Sequence, residues 1–288
     1  MTKPKVLFFS HENDMPWKKR AVLEEIFDLG THGADWSYGW LSAGWKLRGW
    51  DVIVCQTVYH GFLASLWAPG TPIVVENHGD LELRNKWIAR FVIKRAKGLR
   101  AVSRWTARQF GDGTVVDMFP AWTDAETFWM ARRTRKSPIF TVLYAGGLDR
   151  HKGYGVAYEL SKRMPVKFVS GVCQAKLAVE MARAHVVVVP SLREGLGLVA
   201  VEAMMVGTPV VASRVGGLRE VIRHGVNGIL VKAGDVDEFE RQIWRLVEDK
   251  ELRKGITDEA TKFVWKFWTL EGFVNGYRNL VERAMRRG

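Results

Sequence analysis

The sequence predicts an α/β chain built as two Rossmann-like domains facing a cleft. Three observations carry that expectation. Short apolar runs alternate with helical patterns, as strands and helices do along a parallel sheet. The alternation runs twice, interrupted at 130–138 by a polar, basic segment that has no apolar period and contains Pro138. At 288 residues the chain is long enough to bury a large core in two modest domains.

In the first half the apolar runs place strands at 5–10, 51–55, 72–76, 99–102 and 115–119, with helices near 37–48, 84–97 and 105–110. The pattern restarts with strands at 139–144, 166–170, 185–189 and 209–212, and helices near 156–163, 175–184, 198–205 and 237–248. The last segment, 266–287, is helical in composition and rich in aromatics. The expected domains are 1–129 and 139–265, joined by a linker at 130–138, with the helix at 266–288 packing back on the first. No short-period repeat or low-complexity tract interrupts them. Ligands of such sheets bind beyond the C-terminal ends of the strands.

Hydrophobic residues at 47% and charged residues at 26% exclude wholesale disorder. No apolar run approaches the roughly 20 residues that span a bilayer. The opening Met1-Thr2-Lys3-Pro4-Lys5 leads straight into Val6-Leu7-Phe8-Phe9, too short for a signal peptide, which predicts a cytoplasmic protein. Cys55 and Cys173 lie in apolar contexts without CxxC spacing and read as buried thiols. A net charge of +12 leaves nucleic acid, an anionic membrane surface and a phosphorylated substrate open as partners. The 13 tryptophans have no single account, although aromatic faces suit sugar rings and membrane interfaces.

The chemistry is concentrated in Pro190-Ser191-Leu192-Arg193-Glu194-Gly195-Leu196-Gly197-Leu198-Val199 and the helix that follows. A run of valines ends at Pro190, then comes a glycine turn, then a helix opening near Leu198. Such a turn points free N–H groups outward and adds the positive end of the helix dipole, an anion site suited to a diphosphate. Gly195 and Gly197 would let the backbone approach a ligand closely. Glu194 and Glu202 bracket the turn, eight positions apart. Eight helical residues cover about 12 Å, more than the roughly 5–9.5 Å of a glycosidase pair. The spacing suits two polar ends of one ligand better, one carboxylate on sugar hydroxyls and the other on ribose hydroxyls.

These residues resemble the retaining GT-B glycosyltransferases of glycosyltransferase family 4. Its Glu-x7-Glu block stands here as Glu194-Gly195-Leu196-Gly197-Leu198-Val199-Ala200-Val201-Glu202. The continuation through Gly207-Thr208-Pro209, Val215-Gly216-Gly217-Leu218 and His224-Gly225-Val226-Asn227-Gly228 is similar to the same family. The resemblance implies that Glu194 contacts the donor sugar, Glu202 the ribose, and the amides of Gly195, Leu196, Gly197, Leu198 and Val199 the diphosphate. In Tyr144-Ala145-Gly146-Gly147-Leu148-Asp149-Arg150-His151-Lys152-Gly153, Lys152 matches a family lysine that holds the diphosphate. The family's arginine is Gly147 here, so Arg150 is the candidate replacement cation. His78, after the strand at 72–76, matches a histidine beside the transferred sugar. Gly33, in Thr31-His32-Gly33-Ala34, stands where the family has a glycine loop against the phosphates. In Phe119-Pro120-Ala121-Trp122-Thr123-Asp124 only Pro120 and Asp124 keep a family turn. The short interval from Gly153 to Glu194 implies a shortened C-terminal donor domain.

The implied reaction is hexosyl transfer from a nucleotide-diphosphate sugar to an acceptor hydroxyl, with retention and with no metal or other cofactor. Asp235-Val236-Asp237 falls at a helix start and reads as an N-cap rather than a metal site. The basic segment 84–100 holds Lys86, Arg90, Lys94 and Lys97 as one helical stripe beside an apolar stripe of Trp87, Ile88, Phe91 and Val92. It reads as a solvated helix face over an inner apolar face, or as a site for an anionic membrane carrying a lipid acceptor, with nucleic acid the weakest alternative. A dehydrogenase would need GxGxxG after the first strand, where Ser10-His11-Glu12-Asn13-Asp14 stands instead. A nucleotide-sugar epimerase and a non-catalytic nucleotide-sugar-binding subunit remain as alternatives.

Overall fold

The computed structural model describes residues 3–10, 17–33, 47–79, 86–111, 114–119 and 121–288. The chain divides into two compact units, Met1–Trp122 with Leu270–Gly288, and Thr123–Thr269. The first unit runs β1 (Lys5–Ser10), α1 (Trp17–Glu24), β2 (Asp28–Gly33), β3 (Val52–Cys55), α2 (Val58–Trp67), β4 (Ile73–Asn77), α3 (Lys86–Arg95), β5 (Gly98–Ala101), α4 (Arg104–Ala107) and β6 (Asp117–Met118). The second runs α5 (Ala125–Ala131), β7 (Val142–Ala145), α6 (Tyr154–Ser161), β8 (Val166–Val169), α7 (Gln174–Arg183), β9 (Val186–Val189), α8 (Leu198–Met205), β10 (Val210–Ser213), α9 (Leu218–Val221), β11 (Ile229–Val231), α10 (Val236–Glu248) and α11 (Lys250–Phe267). The chain then returns to the first unit as α12 (Leu270–Arg287).

Both sheets are wholly parallel. Their orders are β2-β1-β3-β4-β5-β6 and β11-β10-β9-β7-β8. A parallel sheet is covered on both faces, so its strands read as unbroken apolar runs. In β1 every side chain from Val6 to Phe9 is buried, and alternate residues serve different layers. Leu7 and Phe9 join Ile53, Cys55, Ile73 and Val75 beneath α2 and α3. Val6 and Phe8 join Val52, Val54 and Val74 beneath α1 and the returning α12, which contributes Phe273, Tyr277, Leu280, Val281 and Ala284. In the second unit Val142, Tyr144, Val186, Val188 and Val211 pack beneath α6 and α10. Among the described residues no helix is long and apolar enough to cross a membrane.

Several differences from the expectations have identifiable causes. Thr31-His32-Gly33 is not a loop but the end of β2. Its sequence has little strand propensity, and the strand forms by edge pairing along the whole of β1, Lys5 opposite Asp28 through Ser10 opposite Gly33. The units divide at Trp122, ahead of the expected linker at 130–138. That segment is bound to the second unit: Lys136 Nζ donates to the Ala184 carbonyl at 2.7 Å and to Thr208 Oγ1 at 2.8 Å, and the Ser137 N–H donates to the Arg183 carbonyl. The aromatic tail is parted from α11 by a break at Trp268 and Thr269. Cys55 is buried as expected, but Cys173 is exposed at the N-terminus of α7. On α3 the buried residues are Ile88, Ala89 and Val92, whereas Trp87 and Phe91 are exposed at 63% and 45%. The apolar stripe is therefore split between the core and the outside. All but the last two residues of the expected helix at 37–48, together with Ala34, Asp80, Arg84, Pro120 and the segment 11–14, lie outside the described residues.

Candidate functional site

In the second sheet the chain leaves β7 toward β8 on one side and crosses to β9 on the other. The topological switch point thus lies between the C-terminal ends of β7 and β9, where a doubly wound sheet opens a crevice for ligands. The loops that leave those two ends are the two blocks singled out in the sequence.

The β7 loop is held by its own chain. Asp149 caps a 3-10 turn over Arg150–Lys152, accepting from the His151 N–H at 2.7 Å, and the Tyr144 hydroxyl donates to the Gly147 carbonyl at 2.9 Å. Gly153 then brings the two loops together. Its φ is +75°, and a Cβ there would lie 1.9 Å from the Pro190 carbonyl oxygen, so no other residue fits without moving the β9 loop. The Leu192 N–H donates to the His151 carbonyl at 2.8 Å and completes the seam. The result sets Lys152 against Glu194: Lys152 Nζ stands 3.2 and 3.0 Å from the two carboxylate oxygens, and Ser191 Oγ donates to Glu194 Oε2 at 3.1 Å. Glu194 is 12% exposed and Lys152 46%, so the ammonium remains open to a ligand on its outer side.

Beyond Glu194 the turn is clamped from beneath. The Gly217 N–H donates to the Glu194 carbonyl at 2.9 Å, and Cβ atoms on Gly216 and Gly217 would fall 1.9 and 2.2 Å from the Glu194 and Gly195 carbonyl oxygens. Gly195, Leu196 and Gly197 are buried by this packing. The glycine at 197 answers an internal demand as well as ligand approach: its φ is +100°, and a Cβ would strike Leu218. Gly197 caps α8 with no side-chain hydrogen bond, so among the described residues no side chain caps the first-turn amides of the half-buried Leu198 and Val199. A cation, an uncapped helix N-terminus and an ordered carboxylate therefore meet at one sheet edge, a combination that binds an anion carrying hydroxyl groups.

Glu202 lies one helical turn further on and is 6% exposed. Thr123 Oγ1 donates to its Oε1 at a long 3.4 Å. Burial pushes its carboxyl up to about 7, with the Thr123 hydrogen bond opposing. Because only the stretch from Leu198 to Glu202 is helical, the Glu194–Glu202 interval is a turn followed by one helical turn, not a continuous helix. Arg150 is exposed on the 3-10 turn. Gly147 is exposed, and a Cβ built on it meets nothing within 4 Å. Asp235 caps α10, accepting from the Glu238 N–H at 3.0 Å, and Asp237 pairs with Arg163. Asn227 and His224 close the turn into β11, so that family-like motif is structural here. Asp124 likewise caps α5.

In the first unit Gly33 ends β2, and His78 follows β4 with its ring 42% exposed. What lies behind that ring has no signature along the chain. His78 Nε2 is 3.1 Å from Oε2 of Glu76, a fully buried carboxylate. Glu76 Oε1 accepts from Arg100 Nη1 at 3.1 Å and from the Tyr277 hydroxyl of α12 at 2.6 Å. The Arg100 guanidinium lies 4.1 Å from the Phe119 ring centroid. Burial alone would raise Glu76, but Arg100, His78 and Lys19 offset it and hold the carboxyl well below the usual carboxylate range. Burial lowers the Lys19 ammonium to about 8, with Glu76 opposing and Arg100 adding. Ser191 and Thr123 were also missed, because a lone hydroxyl has no spacing signal until the fold supplies its partner.

A parallel sheet with a cation and a helix N-terminus at its switch point has the architecture in which α/β proteins place ligands, and comparison with known proteins narrows the class. Residues 130–263 match the family model described as Glycosyl transferases group 1. An uncharacterized glycosyltransferase of Methanocaldococcus jannaschii is 38% identical over 130 residues, 45% of this chain and 33% of that protein. The D-inositol 3-phosphate glycosyltransferase of a Nocardioides species is 43% identical over 105 residues, 35% of this chain and 23% of that protein. The chain thus spans a third or less of the length of these relatives. HepE of Anabaena, crystallised with UDP and glucose, has the same fold, with a TM-score of 0.78 at 18% identity over 97% of this chain and 99% of that one. The fold is that of the GT-B glycosyltransferases.

Proposed function

We propose that the chain transfers a hexosyl group from a nucleotide-diphosphate sugar to an acceptor hydroxyl, with retention at the anomeric carbon and without a metal ion. The observation that carries this reading is the meeting of Lys152, Glu194 and the uncapped N-terminus of α8 at the β7/β9 switch point. HepE, of the same fold, was crystallised with UDP and glucose, and the Nocardioides relative is named for a glycosyl transfer. Cleavage of the sugar–phosphate bond leaves an oxocarbenium-like sugar and a diphosphate that gains negative charge. Lys152 and the Leu198 and Val199 amides are aimed at that growing charge and lower the barrier directly. Arg150 adds a second cation in place of the one missing at Gly147. Glu194, ordered by Lys152 and Ser191, accepts from the sugar's hydroxyls, and Glu202 accepts from the ribose. The family resemblance also assigns His78 and Gly33 to the donor. The leaving phosphate takes the proton of the acceptor hydroxyl on the face from which it departs.

The acceptor side points to an anionic membrane surface. Outward-facing Trp87 and Phe91 of α3 gather around Phe62 of α2, with ring centroids 5.9 and 6.1 Å away, and Leu66, one helical turn along α2 from Phe62, is 57% exposed. Lys86, Arg90 and Lys94 are exposed on the same helix. Aromatic rings that enter the headgroup layer beside lysines and arginines are the chemistry of a surface-lying helix.

The test is incubation with UDP-, GDP- and ADP-hexoses in the presence of EDTA, followed by NMR of the anomeric proton. Turnover that is abolished by Glu194→Ala and by Lys152→Ala, with the fold intact, is the expected outcome. Wild-type protein that binds a nucleotide sugar yet neither hydrolyses nor transfers it would instead make the chain a binding subunit.

A further inference from the structure

We infer that Glu76 is a positioning residue: locked between Arg100 and Tyr277, it fixes the ring and tautomer of His78 so that Nε2 carries the proton and Nδ1 is the nitrogen left for a ligand. The inference rests on reading His78 as a donor-facing group. It goes beyond that reading in naming what prepares the histidine.

The geometry is one-directional. Glu76 lies in β4 and His78 just beyond its end, and their side chains meet, Nε2 of the imidazole 3.1 Å from Oε2 of the carboxylate. Glu76 is wholly inside, and His78 is the member of the cluster that reaches solvent. Two donors, the Arg100 guanidinium and the Tyr277 hydroxyl, converge on Oε1, which leaves Oε2 for the imidazole. An ionised carboxylate only accepts, so the nitrogen 3.1 Å from Oε2 has to be the one that donates. The groups facing the carboxylate from the packed elements are Arg100 of β5, Tyr277 of α12, Lys19 of α1, Cys55 of β3 and His78 itself. Two of these are cationic, and together they keep Glu76 an anion in its buried position. A core filled only to support α12 would not need this arrangement. A buried carboxylate with one oxygen turned to a half-exposed imidazole is how a histidine is oriented for chemistry.

The test uses the full chain labelled with ¹⁵N-histidine and long-range ¹H–¹⁵N correlation spectra, with His78 assigned through His78→Asn. The wild type is expected to show His78, in its neutral form, as a single tautomer protonated at Nε2, and Glu76→Gln is expected to show a tautomer mixture. Nδ1 protonation or mixed tautomers in the wild type would overturn the inference, and that measurement needs no folded variant of Glu76. So would a Glu76→Gln spectrum identical to the wild type. For donor turnover, Glu76→Gln is expected to lower kcat about tenfold with donor KM little changed, and to have no further effect on kcat in a His78→Ala background. An equal loss in both backgrounds would mark a purely structural role. Should the wild type turn over no donor at all, the proposed activity fails while the spectra still decide the role of Glu76.

Discussion

Glu202 offers a prediction whose size follows from the structure. Its carboxyl is buried on α8, receives one long hydrogen bond from Thr123, and is pushed by burial from 4.5 to about 7. At 1.36 kcal/mol for each tenfold change in acidity, ionised Glu202 costs the fold about 3 kcal/mol. The sign follows from proton binding. The folded state holds this proton more tightly than the unfolded chain, so stability is full below the unfolded carboxylate range and is lost as pH rises through about 7. Glu202→Gln removes the titration. The variant should match the wild type near pH 4 and exceed it at pH 8 by up to about 3 kcal/mol, which for a domain of this size is several degrees in Tm. Thermal unfolding of both proteins across that range, monitored by calorimetry, measures the difference. A difference that does not change with pH would refute the argument, because no group other than Glu202 differs between the two proteins. The same physics bears on the ligand. Ribose hydroxyls donating to the carboxylate favour its ionised form, so nucleotide binding at pH 6 should release a proton, and affinity should rise by up to about tenfold per pH unit below pH 7. Calorimetric titration in buffers of different ionisation enthalpy reads that proton directly, and Glu202→Gln should abolish its release.

Other outcomes follow from the loops around Glu194 and from the outer face of α3. A Cβ at Gly147 meets nothing within 4 Å, so Gly147→Arg starts its side chain in open space, and a charge-assisted bond to the diphosphate should tighten UDP-sugar binding about ten- to hundredfold by titration. An unchanged Kd would mean that the diphosphate does not pass Gly147. Gly153→Ala should cost about 2 kcal/mol or more in urea unfolding, because it meets a positive φ and the Pro190 carbonyl together. Wild-type stability in that variant would show that the two loops are not held in contact. Trp87→Ala combined with Phe91→Ala should sharply reduce co-sedimentation with anionic phospholipid vesicles, and Lys86→Glu with Arg90→Glu should do so by a further salt-dependent margin. Equal sedimentation with neutral and anionic vesicles would end the membrane reading.

Much of this protein was legible along the chain because its strands are buried on both faces and so are written as unbroken apolar runs. Val6-Leu7-Phe8-Phe9, the valines of β9 and the helix at 198–205 could be read with no partner in view. The same is true of the turn between β9 and α8, since a strand, a glycine turn and a helix start are contiguous in sequence. What depended on tertiary structure is everything whose partner lies far away along the chain. β2 exists because β1 pairs with it, and the segment at 130–138 belongs to the second unit because Lys136 finds Ala184 and Thr208. Ser191 and Thr123 acquire meaning only beside Glu194 and Glu202. Glu76 reads as one polar residue in a strand until α12, 201 positions later in sequence, returns Tyr277 to it. Local pattern encodes which surface a segment buries; only the folded chain decides which groups then share a dielectric, and it is there that charge, proton and tautomer are set.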